Sequence, residues 1–265
     1  MASERIAVVT GAGISAASGI STFRGSDPEA VWNQNDIEMA TFGFFQRDPV
    51  TQWQWYLERF RKATAAQPND AHRALVDLAG WMSESGGRLA LVTQNIDTLH
   101  EQAIAERRGG GALDLIKVHG SADRVRCARD GCRLGSPAGS ILRTEVDFSG
   151  FQESPDRANL PTCPDCGSWL RAHVLFFDEY YTEHRDYRYR DVVEVADSAK
   201  FLLFIGTSLS VGVTEMFQQQ AALRGIPVYS IDPAAAPSPY RHIQILPAPA
   251  EELLPKVVKA LTEAH

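Results

Sequence analysis

Six short apolar runs recur along the chain, continuous rather than alternating except for Asp114, Lys117 and Ser230: Ile6–Val9, Leu89–Val92, Leu113–Val118, Val174–Phe177, Phe201–Ile205 and Val228–Ile231. A strand with one wet face alternates polar and apolar residues, whereas a run that is apolar throughout is covered on both faces. Helical periodicity fills several of the intervals, most clearly at Thr98–Glu106, Tyr187–Ala196, Thr214–Leu223 and Glu251–Leu261. Strands alternating with helices predict an α/β fold: a doubly wound, parallel, Rossmann-like sheet. Such sheets bind ligands at the carboxyl ends of their strands. With 265 residues, 44% hydrophobic and 22% charged, the chain can bury a core of that kind, and these fractions exclude disorder and collagen. A formal charge of −7 works against direct nucleic-acid binding. No apolar run approaches the roughly 20 residues that span a membrane. The start, MASERIAVVT, has neither a basic nor an apolar signal region. A cytoplasmic protein without membrane partners or targeting tails is expected.

Two stretches interrupt the alternation. Residues 27–78 are rich in Trp, Phe and Tyr without a clear strand and read as a helical insertion. Residues 121–170 hold all four cysteines among many turn residues. The glycines at 109–111 read as a turn and the Pro/Ala-rich segment 232–239 as a loop.

The first strand runs directly into Gly11-Ala12-Gly13-Ile14-Ser15, with Gly19 beyond. Small residues between a strand and a helix let backbone N–H groups approach a pyrophosphate. The spacing G-x-G-x5-G differs from the dehydrogenase fingerprint, which disfavours hydride transfer. The strand Leu89–Val92 ends in the polar cluster Gln94, Asn95 and Asp97, and Leu113–Val118 ends in His119. One of Asp97 and Thr98 can serve as a helix cap; capping does not account for Gln94 and Asn95. A histidine at a strand's carboxyl end is placed to act as a general base. Of the others, His184, His242 and His265 are expected at the surface. The pairs Cys127-x4-Cys132 and Cys163-x2-Cys166 suit tetrahedral thiolate coordination of one structural zinc ion, with no open position for catalysis.

In order, GAGISAASGISTFRG (Gly11–Gly25), TQNIDTLH (Thr93–His100), VHGS (Val118–Ser121), the cysteine pairs, HVLFFDE (His173–Glu179) and GTSLSV (Gly206–Val211) resemble the sirtuins, NAD-dependent protein deacylases. The resemblance covers nearly the whole chain. It implies that Gly11, Ala12, Gly13, Ser15, Phe23 and Arg24 form the cofactor loop over NAD. Gln94, Asn95 and Asp97 would line the nicotinamide and ribose sites. Gly206, Thr207, Ser208 and Asp232 would hold the adenosine half. His119, with Asn95, would be catalytic. The segment Val174–Glu179, with Phe177, Asp178 and Glu179, would pair by backbone with an acylated-lysine peptide. Nicotinamide, O-acyl-ADP-ribose and free lysine are the implied products. Asp178 stands where the family usually has glycine, Asp232 where it commonly has asparagine, and Gly212-Val213 where it usually has an aromatic residue and proline. The parts implied are 1–26, 79–120 and 171–265 for the NAD-binding sheet domain, 27–78 for the helical insertion and 121–170 for the zinc module.

Trp53, Tyr56, Leu57 and Phe60 follow i, i+3, i+4, i+7 spacing, one apolar helix face. Tyr56 and Arg59 resemble the acyl-pocket pair of sirtuins that prefer succinyl- and malonyl-lysine. A guanidinium there could grip a distal carboxylate and a phenol donate to it. The plainer reading has Tyr56 in the core and Arg59 in an ion pair. Other classes also remain: a mono-ADP-ribosyltransferase, or a non-catalytic sensor of NAD or acyl-lysine.

Overall fold

The computed structural model describes residues 5–21, 34–107, 113–210, 212–233 and 242–263. Strands β1 (Arg5–Thr10), β2 (Arg88–Thr93) and β3 (Leu113–Lys117) open a large parallel sheet. Strands β4 (Gly120–Cys127), β5 (Ile141–Leu142) and β6 (Leu170–Val174) form a separate antiparallel sheet, ordered β5-β4-β6. The chain then returns through β7 (Phe201–Ile205), β8 (Val228–Ile231) and β9 (Ile243–Leu246), giving the order β3-β2-β1-β7-β8-β9. The strand order reverses between β1 and β7, and the crevice beyond that point is where such a sheet takes its ligand.

The helices are α1 (Gln34–Met39), α2 (Phe42–Arg47), α3 (Pro49–Ala65), α4 (Asp70–Glu84), α5 (Leu99–Glu106), α6 (Ser149–Glu153), α7 (Tyr189–Ser198), α8 (Gly212–Arg224) and α9 (Ala250–Glu263). Successive residues of each central strand face opposite layers, which explains the continuous apolar runs. Ala7, Val9, Ala90 and Val92 pack with Val192, Val195 and Phe217 of α7 and α8. Val8, Leu89 and Leu91 pack with Leu75, Leu78 and Leu254 of α4 and α9. A third core joins α3 to the small sheet: Trp53, Tyr56 and Phe60 cluster with Val125, Leu170 and Phe176. The Trp53 indole N–H donates to the Leu170 carbonyl at 2.9 Å and fastens the two together.

Several sequence expectations change. Val174–Phe177 is not a strand of the large sheet: only Val174 is stranded, and it ends β6 of the small one. Within this run Val174 and Phe176 are buried and Phe177 is 60% exposed; the burial comes from α3 and from Arg171, whose guanidinium lies 3.6 Å from the Phe176 ring centroid. The small sheet therefore extends past residue 170. Helix α4 begins inside the stretch read as an insertion, yet its Ala71–Ala74–Leu75–Leu78–Met82 face packs on the large sheet. The edge strand β9 went unread because Ile243–Leu246 is four residues long and half-buried. His184 is buried, not superficial: it pairs with the Gly139 carbonyl at 3.1 Å and packs edge-on against His173. Residues 109–111 and most of 232–239 lie outside the described residues.

Candidate active site

Beyond β1 the chain enters a 3-10 helix, Ala12–Ser18, rather than an α-helix. Its start is pressed against the end of β7: Gly11 N–H donates to Ile205 O at 3.0 Å and Gly13 N–H to Gly206 O at 2.9 Å. A Cβ on Gly13 would lie 2.5 Å from the Gly206 Cα, and one on Gly206, whose φ is +57°, would lie 2.4 Å from the Ile14 nitrogen. No side chain fits between these two turns, so glycine at both is a packing requirement. Asn69, which caps α4 by accepting from Ala71 N–H at 3.0 Å, reaches back with its side-chain amide to Ile14 O (2.8 Å) and Ser18 Oγ (3.0 Å). The turn is thereby held from both sides. Phe23 and Arg24 lie outside the described residues.

The polar ends of β2 and β3 meet this turn. Ser15 Oγ donates to Asp97 Oδ2 at 2.9 Å and accepts from Asn95 Nδ2 at 3.0 Å. Gln94 Nε2 donates to Thr207 Oγ1 at 3.2 Å. Asn95 Oδ1 is buried and has no hydrogen-bond partner. An orphaned buried acceptor costs on the order of 1–3 kcal/mol and suits an incoming hydroxyl donor. The close-packed glycine turns and this acceptor fit a dinucleotide carrying ribose hydroxyls. Ser208 is exposed and bonded to Ser210, at 2.9 Å between hydroxyls. Asp232 follows β8, its N–H donating to Leu246 O at 3.3 Å.

His119 stands at the end of β3. Its Nδ1 lies 2.9 Å from the Gln94 carbonyl oxygen. A carbonyl only accepts, so Nδ1 carries the hydrogen and Nε2 keeps its lone pair, 3.3 Å from the Tyr181 hydroxyl. Burial pushes the His119 pKa down to about 4, against the opposing pull of that carbonyl. The imidazole is thus neutral and oriented, with its lone pair on Nε2 beside Tyr181. Next to it Gly120 has φ +82°, and a Cβ there would strike the His173 carbonyl at 2.2 Å. Lys117 binds the neighbouring turns together through Asp97 O, Glu101 Oε1 and Ser121 Oγ, at 2.5–2.7 Å. Asn69 and Tyr181 were not legible in the sequence because their partners lie 55 and 62 residues away; Lys117 joins three separate turns that no single motif contains.

The segment Val174–Glu179 is tied to the rest of the chain. Leu175 N–H donates to His119 O and Phe177 N–H to Ala40 O, both at 3.0 Å. Phe176 N–H donates to Glu179 Oε2 at 2.9 Å. Glu179 is buried between Arg171 and Arg126. Asp178 secures the start of α2, where its carboxylate accepts from Phe42 N–H (2.6 Å) and Gly43 N–H (2.9 Å) and caps the helix. Tyr56 is buried against Phe176, ring centroids 5.9 Å apart. Arg59 Nη2 donates to Asp36 Oδ1 at 3.0 Å, and its guanidinium lies over the Trp55 ring at 3.7 Å.

Cys127, Cys132, Cys163 and Cys166 converge, all four Sγ atoms lying within 4.8 Å of one another. The Cys127–Cys166 separation is 3.5 Å and Cys132–Cys163 is 3.7 Å. A tetrahedral zinc with Zn–S of about 2.3 Å sets thiolates about 3.8 Å apart, so the four fit one structural ion. The cluster lies on the small sheet, away from His119.

Residues 11–213 match the Sir2 family model. The chain is 35% identical over 267 residues to an NAD-dependent protein deacylase of Thermus thermophilus, covering 99% of this chain and 94% of that one. It is 33% identical over 257 residues to NAD-dependent protein deacylase 1 of Pseudomonas aeruginosa, covering 97% and 94%. A crystal structure of a Sir2 homolog–NAD complex superimposes with a TM-score of 0.76 at 32% identity, covering 99% of this chain and 91% of that one. By sequence and by fold, the chain belongs to the Sir2 family.

Proposed function

We propose that this chain is an NAD-dependent protein deacylase that favours succinyl- and malonyl-lysine over acetyl-lysine. The deacylase activity follows from the family. NAD is the co-substrate and supplies the electrophilic ribose carbon when bound. The chain's own residues then have defined roles. Gly11, Gly13 and Gly206 let backbone come close to phosphates. Asn95 Oδ1 accepts from a ribose hydroxyl. His119 Nε2 takes a ribose proton, its ring fixed by Gln94 O. Burial around His119 and Asn95 limits water at the reacting centre.

The acidic-acyl preference rests on one observation: Arg59 already binds a carboxylate, that of Asp36, while its Nε is buried without a partner. A guanidinium offers two parallel donors to a carboxylate, and here one is still available. Tyr56, on the same helix face, packs on Phe176 and so reaches the segment assigned to the peptide.

The test is product analysis with NAD and matched acetyl- and succinyl-lysine peptides. O-succinyl-ADP-ribose is the expected product, and a heavier peptide would instead mark ADP-ribosyl transfer. Arg59→Met should lower kcat/KM on the succinyl peptide about tenfold to hundredfold, the worth of a charged hydrogen-bond pair, and leave the acetyl peptide within twofold. Equal losses on both peptides would overturn the preference.

A further inference from the structure

Asp36 and Arg59 form a half-buried pair whose bonding is unequal. Asp36 Oδ1 accepts twice, from Arg59 Nη2 and from the Trp55 indole N–H, each at 3.0 Å. Arg59 gives Asp36 only one of its donors, and its Nε stays buried and unpartnered. The guanidinium sits over the Trp55 ring, 3.7 Å from its centroid, a contact that does not depend on which carboxylate it bonds.

The segment that carries Asp36 is itself secured. Gln52 Nε2 donates to Met39 O (2.5 Å) and Thr41 O (2.9 Å), and Asp178 caps the helix that follows. Asp36 is therefore presented to Arg59 by a fixed backbone. If Arg59 turns to another carboxylate, the Trp55 N–H still satisfies Asp36 Oδ1. The exchange leaves neither the carboxylate nor the guanidinium stranded, which is the usual obstacle to breaking a buried pair.

Resting on the acidic-acyl reading above, we propose that Asp36 is an intramolecular competitor for Arg59. It occupies the guanidinium in the absence of an acidic acyl group and sets the acyl selectivity by having to yield it. A distal carboxylate on the substrate takes the Arg59 fork through Nε and Nη2. A neutral acyl group leaves the Asp36–Arg59 pair closed. Asp36 thus acts as a specificity-determining residue that opposes the charge of the preferred substrate.

The experiment measures kcat and KM separately on succinyl-, malonyl- and acetyl-lysine peptides for the wild type, Asp36→Asn and Arg59→Met. Asp36→Asn keeps an acceptor for Trp55 and removes the competing charge. It should lower KM for the succinyl and malonyl peptides about tenfold, with kcat and the acetyl KM within twofold. Trp55→Phe frees one hold on Asp36 without changing any charge. It should leave acidic-peptide KM no lower than wild type, since Asp36 keeps its charge and its bond to Arg59, and it still reports on the pair if Asp36→Asn misfolds. A succinyl KM unchanged in Asp36→Asn, or one that falls equally for all peptides, overturns the competitor role. A lower succinyl KM in Trp55→Phe overturns it too. If Arg59→Met keeps wild-type desuccinylation, the acyl preference itself fails. If Arg59→Met loses it while Asp36→Asn changes nothing, only the competitor role fails.

Discussion

His119 acts through one hydrogen bond whose direction is forced. Because the Gln94 carbonyl can only accept, the ring keeps its lone pair on Nε2. With its pKa pushed down to about 4, the imidazole remains neutral well below the ordinary histidine range. His119→Ala should lower kcat about 10²- to 10⁴-fold, the usual worth of a general base, with NAD affinity by calorimetry within a few fold. The acid limb of the wild-type kcat/KM profile should fall well below pH 6.5. A limb centred at 6.5 would mean the free enzyme's base is not His119 in the environment seen here. Asp178 also acts through hydrogen bonds to a distant segment, at Phe42 and Gly43 N–H. A carboxylate there closes the N-terminus of α2, which glycine could not do. The residue was visible in the sequence; its partner, 135 residues away, was not.

Among elements, the glycine turn and α4 form one device. Asn69 uses its oxygen to cap α4 and its nitrogen to hold Ile14 and Ser18. Asn69→Ala removes both and should cost about 1 kcal/mol from the cap alone, with KM for NAD raised severalfold and the peptide KM unchanged. Asn69→Asp separates the two roles. It keeps the capping oxygen and loses the donors, so the melting temperature should stay near wild type while KM for NAD still rises. If Asn69→Asp matches wild type in both, the side chain does not steady the turn. The strands and helices of the large sheet were legible because their signal is local: continuous apolar runs for β1, β2 and β7, mainly apolar ones for β3 and β8, and 3.6-residue periodicity for α5, α7, α8 and α9. Val174–Phe177 was misplaced because an apolar run does not record which sheet, if any, takes it up: Val174 ends β6 and Phe177 is exposed. The cysteine pairs were legible because each sits within one turn of chain.

Across the whole molecule, histidine rings are held neutral, two pairs of them in mutual contact: His72 with His100 (centroids 4.8 Å apart) and His173 with His184 (4.6 Å). Burial lowers His72 and His184 to about 4 each, as it does His119, and holds His100 well below its ordinary value. An unfolded chain binds these protons near pH 6.5, so between about pH 4 and 6.5 unfolding takes up protons. Stability is then full above pH 7 and falls as pH drops through that window. A shift from 6.5 to about 4 is worth on the order of 3 kcal/mol per group once complete. Melting followed at pH 7.5, 6 and 5 should show a drop of about 10 °C or more overall. A melting temperature constant from pH 7.5 to 5 would contradict neutral burial. Carboxylates such as Asp186, lowered to about 2 chiefly by the His173 ring 3.2 Å away, lose their contribution only below the usual carboxylate range, so the two effects separate by pH. Among the described residues no helix is long and apolar enough to cross a membrane.

By itself the sequence determined the class of the large sheet, the zinc-type ligand set and the residues that end β1, β2, β3 and β7, since each is written in contiguous residue types. Only the tertiary structure decided that Gly13 and Gly206 touch, that Gln94 fixes the His119 tautomer, that His184 is buried, and that Arg59 already holds the carboxylate of Asp36. Those facts depend on hydrogen bonds and contacts between distant segments. Their strength comes from exclusion of water, and no local spacing records which segments exclude it together.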